Sequence, residues 1–333
     1  MRRIAPAFAL FFLAPLVAEF MLGDFPVTYL PLLLFLGPMY GGGAVLVREV
    51  ARRTGRGRPT IVLLALAYGV FEEGITTQSL FDPAYAHAHL LDRGFVPALG
   101  IAVPWTLFVL ALHTVWSISV PIALVEGFAP ARHTTPWLRK PGLVVASVLF
   151  VVGSLATFAS SYAADHFLAP WPALVVVLLV VVALIAVALR LPRRTARLAS
   201  AAPSPWLVFI AALAVGAVFI LGFRLPTWIA VAVLVVDFVA ATAAVLTWSR
   251  RVGWGDRHRL GLVAGALLTY TWRAFTTHPL AGDGPVVTPV SHVLFALAAL
   301  ALLTVEVARL DRAPAPVRRQ VELTGAMSGP GGS

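Results

Sequence analysis

Long apolar runs follow one another along the chain, separated by short polar segments. A helix that crosses a bilayer needs about 17–25 predominantly apolar residues. Ten such runs occur, at roughly 4–22, 28–47, 60–80, 98–127, 142–162, 171–189, 206–222, 227–248, 260–276 and 289–308. The pattern predicts an all-α, polytopic transmembrane bundle of about ten helices. We expect the first run to be an uncleaved helix rather than a signal peptide, because Glu19 and Phe20 stand where small residues would mark a cleavage site.

The composition agrees with this prediction. Hydrophobic residues make up 59% of the chain and charged residues 12%, whereas soluble domains carry about 25% charged residues. The chain has no cysteine, which excludes disulfides, thiolate chemistry and cysteine-ligated zinc. We therefore expect an integral membrane protein. The sequence leaves both the cofactor and the oligomeric state open.

Basic residues lie mainly in every second connection between the apolar runs. The other connections hold only Arg93, Arg224 and, at a helix edge, Arg273. Because cytoplasmic loops are enriched in Lys and Arg, we expect a multi-pass protein of the cytoplasmic (inner) membrane with both termini inside the cell. The net charge of +10 then belongs to the inner loops. We expect these loops to contact the bilayer through anionic lipid headgroups rather than to bind nucleic acid.

A single domain accounts for most of the chain. We predict one transmembrane helical domain over residues 1–310 and a cytoplasmic tail over 311–333. The tail is rich in Pro, Gly and Ala, a composition typical of disorder.

Two adjacent glutamates, Glu72 and Glu73, interrupt the third apolar run. An ionised carboxylate at the centre of a bilayer costs about 3 kcal/mol or more, and two neighbouring carboxylates repel each other. At 1.5 Å per residue, Glu72 lies about 18 Å from the inner boundary. Such a pair marks a site shielded from lipid, although a purely structural role for it stays open.

The fourth run brings a histidine to a similar depth. His113 lies about 20 Å from the outer boundary of an inward-running helix, and Ser117 follows one turn later on the same face. Because consecutive antiparallel helices usually pack side by side, we expect His113 to share a cavity with Glu72 and Glu73. The three residues are our candidate catalytic group.

Further polar residues lie in the later runs. Asp237 lies near the middle of the eighth run, and Arg273 and His292 lie near the outer ends of the ninth and tenth. With Ser117 they are candidates for substrate or ion binding, and each is equally explained as a structural or interfacial residue. We predict no metal ligands among them. Glu19 and Glu126 lie near helix ends, where we expect them to be solvated.

These residue types support two chemistries. A buried carboxylate beside a histidine can act as a general base towards water. A buried carboxylate pair can also bind a proton or cation while a transporter changes conformation. A third alternative is a non-catalytic lipid-binding or assembly protein. The residues alone do not separate the three.

Two resemblances bear on this choice. A Glu-Glu pair in one span and a His in the next resembles the family of CAAX-processing and bacteriocin-processing intramembrane proteases, which implies that Glu72 and Glu73 activate water and that His113 and a second histidine complete the site. The chain departs from that family at Thr77, where the family has Arg, at Val109, where it has Phe, and at Ala296, where it has Asn. The segments FEEGITTQSLFDP and HTVWSISVPIALVE are also similar to a group of prokaryotic polytopic membrane proteins without an assigned activity.

Overall fold

The computed structural model describes residues 4–193, 196–282 and 284–312. Ten helices occupy most of these residues, as the apolar runs predicted. They are α1 (Ala5–Phe20), α2 (Val27–Arg53), α3 (Arg58–Thr76), α4 (Val103–Phe128), α5 (Lys140–Asp165), α6 (Trp171–Arg190), α7 (Pro205–Gly222), α8 (Thr227–Trp248), α9 (Asp256–Ala274) and α10 (Val287–Arg312). Of the tail predicted at 311–333, only 311 and 312 are described, and they end α10. The rest lies outside the described residues.

Eight of the described helices are long and apolar enough to cross a membrane. The other two are α1, which is shorter, and α9, which begins with the polar stretch DRHR. The chain is therefore a multi-pass membrane protein with an all-α fold.

The helices form an inner group and an outer group. About two-thirds of the apolar window is buried within the protein in α3 and α4, but only 17% in α5, α6 and α8. Side chains such as Val148 and Leu179 on the outer helices point away from the protein. In a membrane these faces meet lipid, so α1 to α4 and α9 are the helices that can enclose a polar site.

Glycines allow the inner helices to approach closely. The sequence GPMYGGG in α2 packs on three neighbours: Gly41 lies against the backbone of Phe11, Gly42 lies against Phe150, and Gly43 faces the ring of Tyr68. Any side chain at Gly41 would overlap the carbonyl oxygen of Phe11. These glycines therefore serve helix packing, which in membranes depends on small residues at the contact.

Stacked aromatic rings join α4 to α7 and α9. The indole of Trp116 lies 4.7 Å from the ring of Tyr270 and 5.3 Å from that of Phe219, measured between centroids. Its Nε1 donates a hydrogen bond of 2.7 Å to the carbonyl of Ala266. Because Trp116 lies three residues after His113, this anchor sets the rotation of α4 at the polar residues.

Short strands connect the loops. Phe95–Val96 (β1) and Ile101–Ala102 (β2) pair antiparallel before α4. Leu198–Ala201 (β3) and Arg251–Val252 (β4) pair in parallel. The second pair joins the α6–α7 connection to the α8–α9 connection, so both lie at the same end of the bundle.

A buried ion-pair network closes that end between α2 and α4. Nε and Nη2 of Arg52 donate to the two carboxylate oxygens of Glu126 at 2.8 and 2.6 Å. Arg48 donates to Glu126 at 3.2 Å and to Glu49 at 2.9 Å. Glu49 also accepts from the backbone N–H of Trp137 at 2.7 Å. The expectation that Glu126 is solvated was wrong: Glu126 is 2% exposed, because Arg48 and Arg52 of α2 pack against it just before the loop after α4.

The same loop completes the coordination of Arg48. Its Nη2 donates to the carbonyls of Arg132 and His133, each at 3.1 Å, and its Cζ lies 3.4 Å from the centroid of the Trp137 ring. Buried ions are tolerated when they are paired and their remaining hydrogen-bonding positions are filled. We refer to Arg48, Glu49, Arg52 and Glu126 as the arginine network.

Candidate functional site

Four inner helices each contain a π-helical segment, and these segments meet. A π segment inserts one residue into a helix, which shifts the side chains that follow, and such insertions are frequent at functional sites. The backbone N–H of Thr77, for example, bonds to the carbonyl of Glu72 at 2.8 Å. The segments are Leu16–Phe20 in α1, Gly37–Gly41 in α2, Glu72–Thr76 in α3 and His113–Ser119 in α4.

Each π segment supplies a polar side chain to one cluster. Glu72, Glu73 and His113 lie at its centre and are 1%, 4% and 7% exposed. The Nε2 atom of His113 lies 2.7 Å from Oε1 of Glu73. Its Nδ1 atom lies 3.0 Å from Oγ of Ser117 and 3.1 Å from Oε2 of Glu72. The structure thus brings together four of the residues chosen from the sequence, and we call Glu72, Glu73 and His113 the Glu-Glu-His cluster.

The protonation of this cluster is constrained by geometry. A neutral imidazole carries a hydrogen on one nitrogen only. If Nε2 carries it, the lone pair of Nδ1 faces the carboxylate of Glu72. If Nδ1 carries it, the lone pair of Nε2 faces Glu73. Either neutral tautomer therefore leaves one carboxylate opposite a ring lone pair. A positive species, an additional proton or a metal ion, resolves that conflict.

Hydroxyl groups hold Glu73 in place. Its Oε2 accepts hydrogen bonds from Ser79, at short range, and from Thr77 at 3.3 Å. Trp105 at the start of α4 donates to the same Ser79 hydroxyl at 3.2 Å. Oε1 of Glu73 is thereby directed at His113. Glu72 has no comparable support, since its Oε2 makes no hydrogen bond.

The segment after α3 passes over the cluster. Gln78 adopts a positive φ of 58°, and its side-chain oxygen accepts a hydrogen bond of 2.7 Å from the backbone of Ala169 before α6. The N–H of Leu80 returns to the carbonyl of Glu73 at 3.3 Å. A non-glycine residue in the left-handed region costs energy and is kept where surrounding contacts demand it. These contacts hold the segment across the end of α3.

Two site residues were missed by the sequence reasoning. Glu19 is less solvated than expected. It is only partly exposed, the hydroxyl of Tyr40 donates a 2.5 Å hydrogen bond to its Oε1, and it lies within electrostatic reach of His113 and Glu73. Tyr40 is buried, and its ring stacks on that of His113 at 6.0 Å between centroids. Glu19 was a carboxylate in an apolar run, like Glu72, and that signal was available.

Asp237 lies apart from the cluster. It is 8% exposed on α8, which packs mainly on α7 and on the start of α4. Its Oδ2 makes no hydrogen bond. Among the described residues, no hydrogen bond or ion pair joins Asp237 to Glu72, Glu73 or His113.

Arg273 and His292 gather around the loop between α1 and α2. Arg273 donates to the carbonyl of Leu22 at 3.2 Å, and a side chain on Gly23 would come within 3.3 Å of Nε2 of His292. Burial raises the pKa of Asp24 in this loop to about 6, against the opposing charge of Arg273. These two predicted residues thus stabilise a loop close to Glu19.

Fold and site together define a multi-pass membrane protein with a buried Glu-Glu-His cluster. The model of a family described as an uncharacterized membrane protein family matches residues 8–316, and the chain belongs to that family. A search of curated proteins finds no match, and neither does a search of solved structures. These comparisons add no support to the resemblance to CAAX-processing proteases, which continues to depend on Glu72, Glu73 and His113.

Proposed function

We propose that the protein is an intramembrane hydrolase, protease-like in its chemistry, that uses Glu72, Glu73 and His113. The observation that supports this is the position of His113, whose two ring nitrogens contact the two glutamates within the buried core. In a hydrolase of this kind, one water molecule must be able to bridge the histidine and the carboxylate base. The distances from His113 to Glu72 and Glu73 are shorter than such a bridge.

We assign the catalytic roles from the hydrogen bonds that orient each residue. Glu73, oriented by Ser79 and Thr77, accepts a proton from the attacking water as the water oxygen bonds to the carbonyl carbon of the substrate. His113 donates a hydrogen bond to the oxyanion. The proton then passes from Glu73 to the leaving nitrogen as the carbon–nitrogen bond breaks. Water enters between Glu73 and His113 when their side chains separate, since they touch in the closed state observed here.

A proton- or cation-coupled transporter is the second candidate. It is favoured by one observation, the low exposure of all three cluster residues, because a coupling site alternates between closed and open states. The separate position of Asp237 counts against it, because the transporter hypothesis assigned Asp237 to the same cavity.

The two candidates are separated by comparing Glu73→Gln with the wild type in a deletion strain. Membrane-peptide profiles and small-molecule uptake are measured in parallel, and Glu306→Gln serves as the matched control. Glu306 is a buried carboxylate on α10 outside the cluster. The hydrolase proposal expects peptides to accumulate with Glu73→Gln alone. Altered uptake with unchanged peptides supports the transporter, and no change in either supports a non-catalytic lipid-binding or assembly role.

We further propose that the arginine-network end of the bundle lies in the cytoplasm, with both termini, in the inner membrane. Because the chain has no cysteine, single cysteines report their own accessibility. An impermeant maleimide added to intact cells is expected to label His87→Cys and to spare Thr134→Cys. The reverse pattern would contradict this orientation.

Anionic lipid headgroups are the partners that we propose for this end. An open groove of about 880 Å³ there is lined by Arg53, Arg132, Arg139 and Lys140 without an acidic residue. Lys140 begins the apolar helix α5, so the groove lies at the depth of headgroups. Arg139→Gln with Lys140→Gln should reduce phosphatidylglycerol retained on the purified protein in native mass spectra. The matched pair Arg190→Gln with Arg193→Gln should not, and equal losses would contradict a specific site.

A further inference from the structure

The Glu-Glu-His cluster has the composition of a metal site. One nitrogen of His113 and one oxygen each of Glu72 and Glu73 lie within 4.8 Å of one another. Histidine nitrogen and carboxylate oxygen are both ligands of Zn²⁺, and three protein ligands with a fourth position open are typical of catalytic rather than structural zinc. The three side chains come from two adjacent helices, so small rotations suffice to adjust their separation.

The distances indicate a contracted form of such a site. Ligands of a tetrahedral ion bound at about 2.0–2.1 Å lie about 3.3 Å from each other. The Nε2 of His113 and Oε1 of Glu73 are 2.7 Å apart. The two atoms must therefore separate by a few tenths of an ångström to admit an ion. Gly69 lies beside His113, with no side chain of its own to restrict the imidazole.

Supporting contacts for metal ligands are already in place. Metal-bound histidines usually give their second ring nitrogen to a hydrogen-bond partner, and ligating carboxylates are themselves hydrogen-bonded. Ser117 is the hydrogen-bond partner of Nδ1 of His113, which leaves Nε2 as the nitrogen that can bind a metal. Ser79 and Thr77 hold the outer oxygen of Glu73 and leave the inner oxygen available.

Oε2 of Glu72 also points to a ligand. It is buried and lies 3.1 Å from Nδ1 of His113, a contact without the geometry of a good hydrogen bond. The hydroxyl of Tyr68 also interacts with Glu72, and the ring of Tyr68 meets that of His113 edge-on at 6.3 Å between centroids. Buried polar groups are normally satisfied, and an ion beside Glu72 would complete the contacts of this oxygen.

We propose that Glu72, Glu73 and His113 bind one divalent transition-metal ion of the Zn²⁺ type. The binding itself is independent of any reaction. The use of the ion to polarise water rests on the proposed hydrolase function, and with an ion bound, the charge of that ion would replace the hydrogen bond that His113 otherwise donates to the oxyanion. A mixed set of one imidazole and two carboxylates favours a borderline cation over Mg²⁺ or Ca²⁺, which prefer oxygen alone.

The test measures metal on the full-length protein in detergent or nanodiscs. Protein stripped with chelator is dialysed against Zn²⁺, and bound metal is counted by inductively coupled plasma mass spectrometry. Co²⁺ serves as a second probe, because its visible spectrum reports tetrahedral nitrogen and oxygen ligation. We expect one ion per wild-type chain and at least a tenfold loss of affinity in His113→Ala and in Glu73→Gln.

Two controls keep the result interpretable. Glu306→Gln removes a buried carboxylate elsewhere and should retain the ion. His87→Ala with His89→Ala removes two exposed histidines of one loop, which could bind metal weakly on their own, and this variant should also retain the ion at the cluster. Ser117→Ala keeps all three ligands and should weaken binding about 10–100-fold, as loss of a supporting contact does. That graded loss shows binding at the cluster even if His113→Ala fails to fold.

The outcomes are distinct. A wild-type chain that binds no ion, or an ion lost only with His87 and His89, overturns the metal proposal. If the metal-free protein still cleaves membrane peptides, the ion has no role in cleavage, and the hydrolase proposal stands without it. One ion bound at the cluster without any cleavage supports the metal site and contradicts the hydrolase.

Discussion

Two buried polar clusters lie among the inner helices, one between α2 and α4 and one between α3 and α4, and they are built differently. In the arginine network, two buried arginines face two glutamates, and Arg53 and Arg58 pair with the same glutamates from more exposed positions. Backbone carbonyls and N–H groups fill the remaining positions. In the Glu-Glu-His cluster, two carboxylates share one imidazole, and Glu72 keeps an oxygen without a hydrogen bond. Glu19 adds a further carboxylate close by.

The difference indicates different purposes. In the arginine network every buried charge faces an opposite charge and the hydrogen bonds are complete, which is the arrangement that lets buried ions persist. The Glu-Glu-His cluster has an excess of acceptors, which makes it costly to fold and ready to bind a proton or a cation. Strained or unsatisfied groups that are retained in a fold are candidates for function. The network therefore stabilises the bundle, whereas the cluster lowers the free energy of unfolding.

The largest effect is expected for Glu73→Gln on function. Glutamine keeps the shape and most hydrogen bonds of Glu73 but cannot accept a proton from water. Loss of a general base lowers rates by roughly 10²–10⁴-fold. The measurement is cleavage of membrane peptides by protein reconstituted in liposomes, with Glu306→Gln as control. A variant that keeps wild-type rates would show that Glu73 is not the base.

The next largest effect is on stability, from Glu126→Gln. The neutral amide leaves the buried cation of Arg52 without its carboxylate partner and removes one of the two carboxylates from Arg48, which keeps Glu49. Breaking a buried pair in this way costs about 3–5 kcal/mol. The loss is measured as the difference in the free energy of unfolding between Glu126→Gln and the wild type in detergent.

The control for this variant is an exposed ion pair on the same end of the protein. Arg257 and Asp311 are 2.7 Å apart with side chains 63% and 57% exposed. Asp311→Asn should change stability by less than about 1 kcal/mol. Similar losses for Glu126→Gln and Asp311→Asn would remove the distinction between a structural network and a surface pair.

A smaller effect is expected from Gly43→Ala, which tests how packing positions the cluster. The added methyl group would overlap the ring of Tyr68, which lies edge-on to His113. Overpacking of this kind costs about 1–3 kcal/mol. We expect a moderate loss of stability together with a loss of activity, measured by unfolding and by peptide cleavage. Unchanged activity would mean that Tyr68 does not help to position His113.

The smallest effect is expected from Tyr40→Phe. This variant removes the hydroxyl that bonds to Glu19 and keeps the ring that stacks on His113. Loss of one hydrogen bond with a charged partner costs about 1.5–3 kcal/mol where it is buried, and less where water reaches the carboxylate. Glu19 is partly exposed, so we expect about 1 kcal/mol in an unfolding measurement. A loss as large as that of Glu126→Gln would place Glu19 and Tyr40 in a structural network.

Most of the fold could be predicted from the sequence because helix length in a membrane is set by bilayer thickness. All ten apolar runs became helices. Glu72, Glu73, His113 and Ser117 could be identified because carboxylates and histidines at membrane depth are costly. The pairing of α3 with α4 followed from their adjacency along the chain.

What could not be predicted depends on local departures from the α-helix. A π segment adds a residue to one turn, so the face on which Glu19 or Tyr40 lies cannot be obtained from α-helical periodicity. The burial of Glu126 depends on how α2 packs on α4, which brings Arg48 and Arg52 to its carboxylate, and no periodic pattern encodes that contact. Asp237 shared the polarity and depth of the site residues, but its lateral position depends on how α8 packs.

The central claim is that the Glu-Glu-His cluster is a functional site and not part of the structural frame. The most direct test is the free energy of unfolding of Glu73→Gln beside that of Glu126→Gln, in the same detergent. Glu73→Gln removes one of two neighbouring carboxylates. Its free energy of unfolding should therefore be no more than about 1 kcal/mol below that of the wild type, and it can be higher. A loss of about 3 kcal/mol or more, comparable to that of Glu126→Gln, would contradict the claim.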